Sequence, residues 1–257
     1  MVSEMPRDLK SNSTFNAKLF ELLDRIEYRR IESSEDMEDV ARIRHKAYSV
    51  NNLIRLNGSL LIDEIDFDPN SFVYGVYVDE KLVSTLRINL VTPDHRVSLS
   101  RKIFPKEIDA FLDAGMTIID PTRLAADPDI VRTMPGIPYL TIRMACLASE
   151  YFNADRVLQA VDIGHAAFYQ KLFFADVLAG PLSKNENYNV NLMLMSIRGK
   201  EMLPKIYERF PAFNSDSFER RLMFGPDEAR SVFPLSIRPT ARRVLEAGAN
   251  AGRLKAN

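Results

Sequence analysis

The sequence of 257 residues contains one cysteine and three histidines, which supply neither the pairs of a disulfide framework nor the clustered ligands of a structural zinc site. It also lacks an excess of either charge, because 34 basic residues face 35 acidic ones, whereas nucleic-acid-binding proteins normally carry a basic excess. No apolar run approaches the roughly 20 residues of a membrane span. Charges occupy residues 1–10, where a signal peptide needs an apolar stretch, so we expect a cytoplasmic protein that binds no nucleic acid.

Several motifs of nucleotide and hydrolase chemistry are missing as well. The sequence has no glycine-rich loop ending in Gly-Lys-Ser/Thr, no Gly-x-Gly-x-x-Gly turn after a predicted strand, and no Gly-x-Ser-x-Gly nucleophile elbow. The single thiol, Cys146, lies in a predicted helix between Met144 and Leu147, which favours a buried core side chain over a reactive nucleophile. No activated serine or cysteine is therefore evident.

What is present is the composition of a globular protein, with 46% hydrophobic and 27% charged residues. Acidic residues after Ser33 and Ser34, followed by basic ones, predict one helix. Periodicity predicts strands at residues 26–31, 72–78, 82–91, 116–125, 156–161, 174–179 and 190–197, and helices at 105–113, 139–152 and 166–173. This order predicts an α/β (α+β) fold with a mixed, mostly antiparallel, twisted sheet flanked by helices. We divide the chain into an N-terminal docking segment (1–25), a central domain (26–198) and a helical C-terminal extension with a basic tail (199–257).

Three charged residues stand in the loop and the hairpin that follow the first predicted helix. Asp63 and Asp66 alternate with apolar residues in a long loop at residues 50–70, where a solvated acidic loop is the alternative to a functional site. Arg87 interrupts a predicted strand, and it either serves a site or lies on the solvent face of the sheet.

Two more charges flank Pro121 in the strand predicted at residues 116–125. Asp120 and Arg123 are three residues apart, so a regular strand would point them to opposite faces. A bulge at Pro121 would return both to one face and splay the strand open, while the alternative is a structural ion pair. Arg44 and Tyr48 lie one helical turn apart beside the loop. They are either site residues, or an ordinary charge at the end of a helix and a half-buried aromatic side chain.

Together these residues resemble a known family. From about residue 28 to residue 198 their order and spacing resemble those of the LuxI-type acyl-homoserine-lactone synthases and, more closely, of the FeeM-type N-acyl amino acid synthases, which have a GNAT-like acyltransferase fold. Tyr169 resembles the tyrosine that lies near the thioester sulfur in that fold. The other matched positions are Arg44, Tyr48, Asp63, Asp66, Arg87, Asp120 and Arg123.

The sequence also departs from the LuxI-type pattern. It has no tryptophan, it carries Asp120 where those synthases usually have Glu, and it continues past Gly199. The first two differences shift the expected acceptor from S-adenosylmethionine to a plain amino acid. Residues 131–136 replace the glycine-rich turn that holds the diphosphate of coenzyme A in this fold, and they contain a single glycine. Coenzyme A is therefore not the obvious donor, and the resemblance implies acyl carrier protein, the usual donor of the family, in its place.

The resemblance implies an N-acyltransferase that joins a fatty acyl group to the α-amine of an amino acid and needs no further cofactor and no metal. An α-amine with a pKa near ~8 is mostly protonated at neutral pH, so a carboxylate must take its proton. Asp120 is the first candidate and Asp63 or Asp66 the next. Arg87 or Arg123 would clamp the acceptor's carboxylate, or would pair with the acids and hold the shape of the site. The alternatives are a homoserine-lactone synthase that uses S-adenosylmethionine and a non-catalytic module that binds an acyl chain or carrier protein.

An acidic carrier protein would need a basic docking surface. Residues 220–243 are rich in arginine, and this C-terminal region also suits a weak contact with a membrane surface. Residues 192–195 and Met202 would line an acyl channel or, as we prefer, belong to ordinary core. The alternative docking residues are Arg29, Arg30, Arg42, Arg44 and Lys46.

Overall fold

The strands of the protein form one eight-stranded sheet in the computed structural model, which describes residues 7–51, 61–183, 189–226 and 235–255. In chain order they are β1 (Ile26–Arg30), β2 (Ser71–Val78), β3 (Lys81–Val91), β4 (Ile118–Ala126), β5 (Arg156–Asp162), β6 (Asp176–Leu182), β7 (Leu192–Arg198) and β8 (Ser236–Ile237). Across the sheet the order is β6-β7-β5-β4-β3-β2-β1-β8. Every neighbouring pair is antiparallel except β4 and β5, which confirms the predicted mixed sheet.

Helices cover both faces of this sheet. Leu86 and Ile88 of β3 face the helix α6, while Arg87 between them points to the opposite face, on which α2 packs. In chain order the helices are α1 (Arg7–Leu23), α2 (Ser34–Val50), α3 (Leu99–Ile103), α4 (Pro105–Asp113), α5 (Pro128–Thr133), α6 (Ile137–Tyr151), α7 (Ala166–Phe173), α8 (Gly199–Arg209), α9 (Ser217–Phe224) and α10 (Ala241–Lys255). Among the described residues, no helix has the length and apolar character needed to cross a membrane.

Local sequence explains most of the element boundaries. The hairpin turns at Asp79 and Glu80, which both adopt the left-handed conformation that a tight antiparallel turn requires. The strand predicted at residues 174–179 instead begins at Asp176, because Phe174 is left-handed and ends α7. The loop expected at residues 50–70 contains a short 3₁₀ helix, Glu64–Phe67, and part of that loop lies outside the described residues.

The segments that precede and follow the central domain contribute to its core. Leu19 of α1 and Met223 of α9 are buried in the same apolar cluster as Leu140 of α6. The β8 strand pairs with β1 and extends the sheet by one strand. Burial of apolar surface therefore joins the two ends of the chain to the central domain.

Candidate active site

A large cavity opens where β4 and β5 separate. The two strands pair only at Ile118–Arg156 and Ile119–Val157 and then diverge. The resulting cavity has a volume of about 830 Å³. Apolar side chains from β4, α6, β5, α7 and α8 make most of its wall, among them Leu124, Ile142, Val157, Phe173, Leu203 and Ile206.

A bulge in β4 lies beside this gap. Ala125 pairs with Thr85 and Thr122 pairs with Arg87, so two β4 residues, Arg123 and Leu124, face one residue of β3. Arg123 is left-handed, with φ of 57°. The predicted bulge therefore exists, but its predicted position at Pro121 is wrong.

Pro121 remains in the ladder, opposite Ile88 of β3. The pairing of β4 with β5 ends at Ile119, two residues earlier. On the side of β5, β4 makes no backbone hydrogen bond at residue 121 that a proline could remove. This explains why a central strand tolerates Pro121.

Five of the predicted residues form one network of ion pairs on the α2 face of the sheet. The guanidinium of Arg44 makes two hydrogen bonds to the carboxylate of Asp66, at 2.9 and 3.0 Å. Nη1 of Arg87 lies 2.6 Å from Oδ1 of Asp63 and 3.3 Å from Oδ1 of Asp66. Nη2 of Arg123 lies 2.5 Å from Oδ2 of Asp63. Arg87 is fully buried, so its alternative placement on a solvent face is wrong.

The two acids also fix the loop that carries them. Asp63 accepts a hydrogen bond from the backbone N–H of Ile65, and Asp66 accepts one from the backbone N–H of Asp63, both at 3.0 Å. This reciprocal capping box starts the short 3₁₀ helix. Burial alone would raise the pKa of Asp63, but Arg87 and Arg123 outweigh it and lower this pKa to about 2. At neutral pH Asp63 is thus an ionised, weakly basic group that holds two arginines.

Asp120 lies beside this network, close enough for the charge of Arg87 to act on it, but it makes no ion pair there and does not pair with Arg123. Its carboxylate is fully buried and accepts hydrogen bonds from the hydroxyl of Ser100 at 2.7 Å and from the backbone N–H of Ser100 at 3.2 Å. Burial raises the pKa of Asp120, although the hydrogen bonds from Ser100 and Ser98 oppose the increase. Ser100 belongs to the cavity wall, whereas Asp120 is absent from the wall formed by the described residues.

Three of the predicted residues line the cavity directly: Arg123, Tyr48 and Tyr169. Burial raises the pKa of both tyrosines, that of Tyr169 to about 12. Both phenols are therefore neutral hydrogen-bond donors at physiological pH. Cys146 also touches the cavity, and its burial in the core cluster confirms the expected core side chain. Burial raises the pKa of its thiol to about 12.

On one side, the N-terminus of α6 packs against α1, while Pro138 and Tyr139 of its first turn line the cavity. A Cβ added at Gly136, the residue before α6, would come within 3.0 Å of Leu19 and 3.2 Å of Leu22. The backbone N–H of Ile137 donates to the carbonyl of Met134, and the next residue, Pro138, has no N–H. This helix end therefore presents apolar side chains where the fold's diphosphate turn would offer backbone amides.

Two features were not identified from the sequence. The first is Ser100, the hydrogen-bond partner of Asp120. The only local signal in its segment is Ser98, two residues earlier, whose hydroxyl caps α3. Arg143 of α6 forms a fully buried ion pair with Glu219 of α9, 76 residues later, at 2.5 and 3.0 Å. A pairing at that separation leaves no local pattern in the sequence.

The basic surface proposed for a carrier protein is altered by the structure. Arg44 is fully buried in the network with Asp66, so its predicted place on that surface is wrong. Lys46 contacts Asp127 and Asp129, at 2.7 and 2.8 Å. Met195 and Met202 belong to the core cluster and Met193 packs against it, all outside the described cavity wall, which confirms ordinary core for the methionines. Leu192 of the same predicted segment lies in the cavity wall, so the preferred interpretation is wrong for that residue.

Comparison with known proteins identifies the chain's relatives. The profile of a family described as N-acyl amino acid synthase FeeM matches residues 39–198, more than half of the chain. No functionally curated protein matches the sequence. The solved structure of FeeM, an N-acyl amino acid synthase from uncultured soil microbes, is 15% identical, covers 69% of this chain and 93% of its own, and superposes with a TM-score of 0.59.

Two further solved structures match with lower TM-scores. The coenzyme-A-dependent acyl-homoserine lactone synthase BjaI is 16% identical and covers 69% of this chain and 83% of its own, with a TM-score of 0.44. An acyl-CoA N-acyltransferase from Pseudomonas aeruginosa is 12% identical and covers 67% of this chain and 99% of its own, with a TM-score of 0.47. The superposition on FeeM confirms the GNAT-like acyltransferase fold.

Proposed function

The chain belongs to the FeeM family of N-acyl amino acid synthases and is an N-acyltransferase, and we propose that it transfers a fatty acyl group from acyl carrier protein to the α-amine of an amino acid. The observation that carries this proposal is the cavity at the β4–β5 gap. Its wall is mostly apolar, and Thr122 and Arg123 place polar side chains in it at the β4 bulge. Further polar side chains line it elsewhere, among them Ser100, Gln159, Asp162 and His165. An acyl chain in the apolar part would place its thioester carbonyl near the bulge.

The form of the α6 N-terminus supports a carrier protein as the donor. Coenzyme A carries a diphosphate, which in this fold needs backbone amides at that helix end. Leu19 and Leu22 cover Gly136 there, and Pro138 contributes no N–H. A carrier protein delivers its acyl chain on a phosphopantetheine arm without that diphosphate, so the covered helix end does not oppose it.

We assign the proton-accepting role to Asp120, acting through Ser100. The α-ammonium of the acceptor would donate a proton to the Ser100 hydroxyl as that hydroxyl passes its own proton to Asp120, 2.7 Å away. The free amine then attacks the thioester carbonyl, and peptide groups of the bulge at Arg123 and Leu124 would stabilise the oxyanion. Collapse breaks the C–S bond, the leaving thiolate takes a proton from the new amide nitrogen, and Asp120 releases its proton to water.

The remaining predicted residues divide by their position. Arg123 lines the cavity, and we assign it to the carboxylate of the acceptor. Tyr48 and Tyr169 also line it, and their neutral hydroxyls would contact the substrates. Arg87 and Arg44 lie behind the wall with Asp63 and Asp66, and we assign these four to holding the shape of the site.

The test is the release of free thiol from long-chain acyl carrier protein, incubated with the purified protein and a mixture of the standard amino acids. Mass spectrometry of the organic extract would then identify the acceptor. We expect thiol release together with an N-acyl amino acid, and a much slower reaction with acyl-coenzyme A. Activity that requires S-adenosylmethionine would instead identify a homoserine-lactone synthase. Binding of acyl carrier protein without thiol release under any of these conditions would indicate a non-catalytic module.

A further inference from the structure

Helix α8 forms part of the cavity although it lies outside residues 39–198, the stretch that matches the family profile. Leu203 and Ile206 are one helical turn apart, so they lie on the same face of α8, and both belong to the cavity wall. Ile206 is almost completely buried. Met202, which is buried as deeply as Leu203, is absent from the described wall.

The start of α8 is fixed by a close backbone approach. Gly199 begins the helix directly after β7, and its N–H donates to the carbonyl of Asp155 at 3.0 Å. A Cβ at this position would lie 2.6 Å from the carbonyl oxygen of Ala154 and 2.8 Å from the Ser149 hydroxyl. Glycine therefore allows α8 to start against the loop between α6 and β5, and this sets where Leu203 and Ile206 meet the cavity.

We infer that α8 determines the length of acyl chain that the enzyme accepts, with Leu203 and Ile206 forming the wall that the methyl end of the chain meets. The inference rests on the proposed acyl transfer. Thr122 and Arg123 lie in the wall at the β4 bulge, where the thioester would lie. Ile206 and Phe173 are among the most deeply buried of the lining side chains. A chain that extends from the bulge into the core therefore ends against α8.

The expected effect follows from the cost of burying methylene groups. Each methylene that gains or loses its place in an apolar site changes affinity about fourfold, equivalent to about 0.8 kcal/mol. Ile206→Ala opens room for about two further methylene groups, so the ratio of kcat/KM for a chain two carbons longer to that for the wild-type optimum should rise about sixteenfold. Ile206→Phe should shift the optimum toward shorter chains.

The experiment measures kcat/KM for full-length wild-type and variant proteins with a series of saturated acyl carrier proteins of graded chain length. Met202→Ala is the matched control, because it removes a buried side chain from the same helix outside the described wall. We expect it to lower the melting temperature without moving the chain-length optimum. If Ile206→Ala does not fold, Ile206→Val provides the same test with a smaller shift. Folded Ile206 variants whose chain-length profile equals that of the wild type would overturn the inference.

A second readout separates this inference from the proposed reaction. Displacement of a fluorescent fatty acid by free fatty acids of graded length reports the size of the cavity without any catalysis. If the wild type releases no thiol, the proposed function fails, but the length optimum for binding still tests α8. An optimum for binding that moves with Ile206→Ala supports α8 as the end wall, whereas an optimum unchanged by both Ile206→Ala and Ile206→Phe refutes it.

Discussion

Replacing Asp63 with asparagine tests whether the ion-pair network holds the site together. The Asp63 carboxylate lies 2.6 Å from Nη1 of Arg87 and 2.5 Å from Nη2 of Arg123, and its side chain is only 13% exposed. The side chain introduced by Asp63→Asn would still cap the 3₁₀ helix, since asparagine is as good an N-cap as aspartate. The substitution therefore removes the charge while keeping the cap and the size of the side chain.

The magnitude follows from two independent arguments. Lowering the pKa of Asp63 from 3.8 to about 2 corresponds to roughly 2 kcal/mol of net stabilisation of the ionised form, in which the two arginines outweigh the cost of burial. Removing one partner of a buried ion pair typically costs about 3–5 kcal/mol. The low end of that range applies here, because Asp66, 3.3 Å from Nη1 of Arg87, still compensates part of the buried charge. We expect Asp63→Asn to lower the free energy of unfolding by about 3 kcal/mol, and the melting temperature by about 6–12 °C in a protein of this size.

Differential scanning calorimetry at neutral pH measures the effect, and Glu64→Gln is the matched control. The neighbouring Glu64 pairs with Lys102, but its side chain is 75% exposed, so its loss should change the melting temperature little. The depressed pKa means that the contribution of Asp63 is complete above its unfolded pKa of about 3.9 and is lost as the pH falls through about 2. The difference between wild type and Asp63→Asn should thus shrink over that interval. Equal melting temperatures of the two proteins at pH 7 would refute the reasoning.

Other substitutions test the roles assigned above. Asp120→Asn should lower kcat at least a hundredfold with a native circular dichroism spectrum, since it removes the proton acceptor but little volume; unchanged thiol release would remove Asp120 from the chemistry. Ser100→Ala should lower kcat more than it raises KM, with partial recovery in Ser100→Thr, and equal kcat values for wild type and Ser100→Ala would disprove a relay. Glu219→Gln should destabilise the fold by about 3 kcal/mol or more, measured by urea unfolding, because Arg143 stays buried without its partner. Native Cys146 should resist alkylation at pH 8 and react only after unfolding, as mass spectrometry would detect, since its pKa is about 12.

Sequence periodicity predicts the framework of this protein well because its causes are local. The apolar stretches at residues 72–78 and 82–91 predict the two strands of the β2–β3 hairpin, and the structure has them within a residue of the predicted bounds at each end. The beginning of α2 follows from the Ser33 cap and the acidic first turn. Such signals act over a few residues, so a single sequence carries them in full.

The partners within the site have no such local cause. Asp120 and Arg123 are three residues apart and suggested an ion pair, yet Arg123 pairs with Asp63, 60 residues away, and Asp120 with Ser100. Spacing identifies which residues gather on one face of the sheet, but the choice among partners depends on the register of β3 with β4. The placement of α8 in the cavity wall depends likewise on a close approach at Gly199 that no periodicity indicates.

The network also explains how a strained residue persists beside the cavity. A non-glycine residue in the left-handed region costs roughly 1–2 kcal/mol, and Arg123 adopts that conformation at the bulge. Its ion pair with Asp63 belongs to a set of contacts worth about 2 kcal/mol or more, which is enough to offset that cost. The loop that carries Asp63 and Asp66 is thus energetically coupled to the backbone of the cavity wall through the side chain of Arg123. In the proposed reaction Asp63 would act by holding the β4 peptide groups in place, a role for which its weak basicity is no disadvantage.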